Sequence, residues 1–225
     1  KCPDDQFPLA AVKAMGFRHW VFTGQKSYNG VAILSRLPLE DVTRGLQGDE
    51  SDEQARYIEA TVIGSTALRL CCLYLPNGNP APGPKYDYKL AWMERLHTRA
   101  QQLLAEEIAF VMAGDYNIIE QDTDAAKPEL WREDALALPA SRAAYRKIAA
   151  LGLTTALRAK HPEAGLYSFW DYQAGAWQKN NGILIDHLLL SPQAADLLID
   201  AGIDKDVRAG DKPSDHVPVW AQLDA

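Results

Sequence analysis

Between residues 85 and 107, the apolar positions Leu90, Met93, Leu96, Ala100, Leu103 and Leu104 recur at three- and four-residue spacing. That is the period of a long helix with one buried stripe. Such a stripe needs a flat apolar surface to cover. Strand-length apolar runs at 31–34, 57–63, 68–75, 109–113, 185–190 and 218–223 supply one. Several runs are consecutive and are separated only by turn signals such as Asn77-Gly78-Asn79-Pro80. Shorter helical patterns cover 141–151 and 192–199, the second with Pro192 in its first turn. The interleaving is not a regular βαβ alternation, so it predicts layered sheets faced by helices and argues against a doubly wound parallel sheet. The chain has 225 residues, 47% apolar and 24% charged, without repeat or linker. It therefore reads as one large domain over residues 1–225.

A net charge of -7 argues against non-specific coating of nucleic acid but leaves room for a local basic cleft. Arg56, Lys85, Lys179 and Lys212 are candidates for such a cleft, against an ordinary solvated role for each. Three cysteines, Cys2, Cys71 and Cys72, form an odd set with two adjacent in an apolar run, which suggests reduced thiols and no disulfide framework. No apolar run approaches the roughly 18 residues of a membrane helix. No signal peptide opens the chain, so the expected place of action is the cytoplasm.

Polar residues gather where the apolar runs end. The run 68–75 delivers Tyr74 and then Asn77; 109–113 delivers Asp115 and Asn117. Asn180 precedes Asp186, and Ser214-Asp215-His216 precedes the last run. Each alone reads as turn chemistry, since Asp, Asn and Gly favour turns on backbone grounds. His19, His97 and His161 lie in polar or helical contexts, and His187 follows Asp186 on a strand, so those two side chains point to opposite faces. Local spacing does not pair Asp186 with His216; only the fold can.

Taken in order, KCPDDQFP, GQKSYNGVAILS, DEQARYIEA, YLPNGNP, GDYN, SFWDY, IDHLLLS and KPSDHVPVW resemble the exodeoxyribonuclease III family of the endonuclease/exonuclease/phosphatase superfamily. The likeness runs from Lys1 to Leu223. It implies a four-layer α/β sandwich of the DNase I type, with the site at one edge of two packed sheets. It also implies a Mg²⁺-dependent DNA repair nuclease (Mn²⁺ being an alternative), monomeric, acting on double-stranded DNA with abasic sites or 3′ ends. By this resemblance Asp115 activates the attacking water, Asn117 orients it, and Tyr74 lies near the scissile phosphate beside Asn77. Asp186 orients His216, and Asp115, Asn117, Asp215 and His216 form the metal site. Asn180 is on the substrate side, while Phe169 and Ile183 line the pocket for a base-less sugar. Trp170 is weighed evenly between core and ligand contact, and Trp20, Trp92 and Trp220 are assigned to packing. The residue types suit the chemistry: phosphodiester hydrolysis needs a positioned water and charge compensation at phosphorus. Mg²⁺ takes carboxylate and water oxygens.

Two departures qualify these expectations. The family's leading strand carries an Asn, and a later Gln-Glu pair supplies a main Mg²⁺ ligand; both would precede Lys1, and the chain opens without Met. An N-terminal segment with the first strands is therefore expected to be missing, leaving this chain catalytically impaired or poorly folded. A DNA-binding module and a phosphatase of the same superfamily are the alternatives. Leu184 stands where the family commonly shows Arg, so Leu184→Arg is expected to raise DNA affinity.

Overall fold

The computed structural model describes residues 2–225. After the short helix α1 (Leu9–Ala14), β1 (His19–Thr23) and β2 (Val31–Ser35) pair as an antiparallel ribbon. β3 (Leu39–Arg44), β4 (Tyr57–Ile63) and β5 (Ala67–Tyr74) follow as an antiparallel meander. Helix α2 (Pro84–Ala105) carries the chain to β6 (Phe110–Asp115), which lies parallel to β5. Helix α3 (Pro139–Ala149), β7 (Thr154–Thr155), α4 (Ala156–Lys160) and β8 (Asp186–Leu190) complete a six-stranded mixed sheet ordered β3-β4-β5-β6-β8-β7. Helix α5 (Pro192–Asp196) leads to a second antiparallel ribbon of β9 (Leu198–Ile203) and β10 (Val219–Leu223).

The two-residue period of a strand decides what covers each face. Cys71 and Leu73 of β5 enter one core with Trp92, Met93, Leu96 and Leu103 of α2 and Tyr145 and Ile148 of α3. Leu70, Cys72 and Tyr74 face the other way, against Val21, Val31 and Ile33 of the first ribbon. On that same side Val111 and Leu190 meet Ala201, Ala221 and Leu223 of the second ribbon. Helices therefore cover one face of the sheet and both ribbons the other, an α/β sandwich as expected. Each fully buried side chain among these stabilises by about 1.5–3 kcal/mol relative to exposure. All three cysteines are free, with Cys71 and Cys72 on opposite faces. Among the described residues, no helix is long and apolar enough to cross a membrane.

The segment 192–199 does not form one helix. Ser191 caps α5 by accepting from the Ala194 N–H, the helix ends at Asp196, and Leu198 pairs with Leu223 as β9 begins. Ribbon pairing and partial burial of Leu198 outweigh the helical spacing there. β1 holds only the short apolar stretch Trp20-Val21-Phe22 and β3 is largely polar, and the sequence reading passes over both.

Glu59 of β4 lies on the helix-facing side, 1% exposed, with Arg69 at 2.6 Å and Arg99 of α2 at 2.7 Å. Tyr57 donates its hydroxyl to the same carboxylate at 2.5 Å. Burial works to raise the Glu59 pKa, but hydrogen bonds from Arg99, Tyr57 and Arg69 and the charge of Arg99 outweigh it and bring it down from 4.5 to about 2. A folded pKa below the unfolded one gives stability that is present above 4.5 and lost as pH falls toward about 2. Between about pH 5 and about pH 3 the wild-type urea midpoint is expected to drop by an amount equivalent to on the order of 2 kcal/mol, with a smaller drop in Glu59→Gln. Equal drops in the two proteins would remove Glu59 as the source.

Candidate active site

Three adjacent strands end in one row. In the parallel pairing of β5 with β6, Tyr74 is opposite Asp115; in the antiparallel pairing of β6 with β8, Asp115 is opposite Asp186. Partners in register share a face, so Tyr74, Asp115 and Asp186 project together on the ribbon-covered side. Gly114 makes this approach feasible. Its φ is +154°, and a Cβ there would lie 1.9 Å from the Leu73 carbonyl oxygen, so Gly precedes Asp115 because no side chain fits.

The loop before β10 brings in the distant partner. His216 bridges to Phe169, which in turn bridges to Ile183, and the Phe169 ring lies 4.9 Å from the imidazole, edge to face. His216 Nδ1 is 2.8 Å from Asp186 Oδ2. A carboxylate only accepts, so Nδ1 carries the proton and donates. Nε2 then faces Asp115 Oδ2 at 3.8 Å. Ser168, fully buried, donates to the same Asp186 oxygen at 2.6 Å, and its Oγ accepts from the Ile185 and Asp186 N–H groups. Burial works to lower the His216 pKa, but the Asp186 hydrogen bond and the charges of Asp186, Asp115 and Asp215 outweigh it and leave it above 6.5.

Asn117 completes the site from the turn after β6. It adopts φ +48°, a left-handed conformation that Asn tolerates. Its N–H donates to Asp115 Oδ1 at 2.8 Å, its Nδ2 donates to the Leu75 carbonyl at 2.9 Å, and its Oδ1 accepts from Asn77 Nδ2 at 3.2 Å. One Asp115 oxygen is thereby fixed and the other left toward His216. Beneath this turn Lys89 of α2, fully buried, donates to the carbonyls of Asn77 at 3.0 Å and Asn117 at 2.7 Å. Burial pushes its pKa from 10.5 down to about 7, against the charges of Asp134 and Asp115.

Thus Tyr74, Asn77, Asp115, Asn117, Asp186 and His216, spread along the sequence, converge. Asp115, Asp186 and His216 hold possible ligand atoms within 4.8 Å of one another, and Asp215 lies close enough for its charge to act on His216. The Asp215 carboxylate accepts from the Ser214 hydroxyl, and its carbonyl accepts the Trp170 N–H. The carboxylate oxygens here are donors of the kind a hard divalent cation takes. Ile183 is 2% exposed and packs against Phe169, so it shapes the pocket from behind without lining it. Asn180 is exposed, and its Oδ1 accepts from Trp170 Nε1 and Lys205 Nζ. Trp170 is fully buried and belongs to the core, with Trp92; Trp220 remains 36% exposed.

Of the four basic candidates, Arg56 is held by Gln54 Oε1 and the Tyr74 carbonyl, with its guanidinium 5.0 Å from the Tyr74 ring. Arg56, Lys85, Tyr74 and Asn77 line a groove of about 430 Å³ beside the site. Lys179 is tied to Ala174 of its own loop, and Lys212 is exposed on the 211–215 turn.

Leu184 is 1% exposed, so its side chain is in the interior and not at a phosphate. Leu184→Arg is therefore expected to destabilise by about 3 kcal/mol or more, because it buries an unpaired charge. It is not expected to tighten DNA binding. Thermal melting beside duplex titration at matched salt checks this; tighter binding at unchanged stability would reinstate the sequence expectation. The sequence reading missed Ser168 and Lys89. Ser168 opens SFWDY, where only the aromatics drew a role, and Lys89 interrupts the apolar side of α2.

Known proteins show the same arrangement of chain. The endonuclease/exonuclease/phosphatase family profile matches residues 1–216. Exodeoxyribonuclease III of Haemophilus influenzae is 32% identical over 235 aligned residues, covering 99% of this chain and 86% of that protein. Among solved structures, the 3′ phosphatase NExo from Neisseria bound to product DNA hairpin aligns with TM-score 0.94 and 39% identity, over 100% of this chain and 86% of that one. An AP endonuclease from Archaeoglobus fulgidus aligns with TM-score 0.92 and 35% identity over the same shares. The chain belongs to the endonuclease/exonuclease/phosphatase family, in its exodeoxyribonuclease III branch.

Proposed function

We propose that the protein is a DNA repair nuclease that hydrolyses phosphate esters of duplex DNA, incising beside abasic sites and removing nucleotides from 3′ ends. The observation that carries this reading is the His216–Asp186 pair turned toward Asp115 at the shared edge of three strands. Asp115, its Oδ1 fixed by the Asn117 N–H, presents Oδ2 to accept a proton from, or hold, the attacking water. His216, kept in one tautomer by Asp186 and biased toward its charged form, offers Nε2 to a phosphate oxygen as negative charge builds. Ser168 holds the Asp186 carboxylate in place, so these two residues in series fix the His216 imidazole. Tyr74, Asn77 and Arg56 lie along the groove that a flanking phosphate would follow. A divalent cation, Mg²⁺ or Mn²⁺, would be held by Asp115 beside the His216–Asp186 pair, with Asn117 and Asp215 as further expected ligands, and would neutralise phosphate charge.

The same site suits a terminal 3′-phosphate, in keeping with the likeness to the Neisseria 3′ phosphatase. Phe169, half-buried beside His216, would touch an extrahelical sugar, whose rotation out of the helix costs least where the base is absent. The free cysteines fit a reducing compartment, and the proposed setting is a single-domain monomer acting in the cytoplasm. The test is nicking of a 5′-labelled abasic duplex with Mg²⁺ and with EDTA. Cleavage at the abasic site with metal, and none with EDTA, is expected. Tight duplex binding without turnover in either Mg²⁺ or Mn²⁺ would leave a binding module instead.

A further inference from the structure

The buried side of α2 carries Tyr86, Lys89, Trp92, Met93 and Leu96, and one of these five is an ammonium. Both of its named acceptors are backbone carbonyls, those of Asn77 and Asn117, and not carboxylates. Burying a charged group with only such partners costs stability, and an apolar side chain of equal length generally serves packing better. Its stem passes directly beneath Gly78, whose φ is +92°; a Cβ on Gly78 would lie 2.7 Å from Lys89 Cδ. The turn after β5 is thus shaped to admit this side chain.

The two carbonyls belong to the two turns that bear the site. On the cleft side the turns are joined by Asn77 Nδ2 to Asn117 Oδ1 and by Asn117 Nδ2 to the Leu75 carbonyl. On the helix side Lys89 joins them again. The Asn117 N–H fixes the rotation of the Asp115 carboxylate, so any drift of the Asn117 peptide moves the oxygen that faces His216. We infer that Lys89 is a positioning residue for phosphate-ester hydrolysis, clamping the turns after β5 and β6 so that Asp115 stays aimed. Its effect on turnover rests on the nuclease reading above; its effect on the turns does not.

Lys89→Met keeps the stem and removes the ammonium. Its melting temperature is expected to equal or exceed that of the wild type. Amide hydrogen exchange is expected to quicken in 75–79 and 115–119 and to stay unchanged elsewhere. On an abasic duplex kcat is expected to fall about 100-fold, the scale of a small misplacement of a catalytic group. KM is expected to rise by far less than kcat falls, because the Asn77 turn along the groove is only one of several groups there. Gly78→Ala keeps the charge but crowds Lys89 Cδ, and should quicken exchange in the same two segments. Unchanged exchange there in Lys89→Met would overturn the clamp whatever the activity. A lowered melting temperature with wild-type kcat per folded molecule would overturn it as well, by reducing Lys89 to a packing element. Wild-type protein that fails to incise would instead count against the nuclease reading, with the exchange comparison still deciding the clamp.

Discussion

Asp115→Asn is expected to lower kcat for abasic incision by about 10³- to 10⁴-fold, the range of a lost proton acceptor at the reacting centre. The fold should survive, because Asn can still accept the Asn117 N–H through its amide oxygen and holds the same volume at the end of β6. Duplex affinity should hold or rise, since a negative charge beside the phosphate path is removed. The two readouts, single-turnover rate and equilibrium binding, separate chemistry from recognition. A rate within about 10-fold of wild type would mean that Asp115 holds no essential role in the reaction.

The second large effect concerns the His216–Asp186 pair. His216→Ala is expected to lower kcat by about 10³-fold through loss of the group facing the developing phosphate charge. Asp186→Asn should cost nearly as much, since an amide does not hold the imidazole in the tautomer that leaves Nε2 turned toward Asp115. Groups that act as one unit are not additive. The double variant should therefore lose little beyond His216→Ala alone. Losses that multiply would show two independent roles and contradict the orienting part assigned to Asp186.

The sequence made the strands β4, β5, β6 and β8 legible because they are buried on both faces and read as short apolar runs. The helix α2 was legible for a different reason, its stripe at three- and four-residue spacing. Legibility failed where tertiary pairing overrides local pattern, as at Leu198, which leaves a helical spacing to pair with Leu223. It also failed where burial depends on neighbours from elsewhere. Ile183 and Leu184 sit beside a functional acid in the sequence, yet both are interior. The pairing of His216 with Asp186 spans 30 residues, and no local period encodes it. Resemblance to a known family supplied that pair, whereas geometry supplied Ser168 and Lys89, whose roles depend on carbonyls and carboxylates delivered by other strands. The nearness of Asp186 to Asp115 has the same origin, because register, not adjacency, sets which oxygens meet.

One place in the molecule is expected to cleave every phosphate ester. Rates for an abasic duplex, a recessed 3′ end and a 3′-phosphate, measured with Mg²⁺ on the wild type and on Asp115→Asn, address this directly. All three should fall together and by a similar factor. One of them persisting at the wild-type rate would require another centre of hydrolysis and contradict the convergence of Tyr74, Asp115, Asn117, Asp186 and His216 on one phosphate.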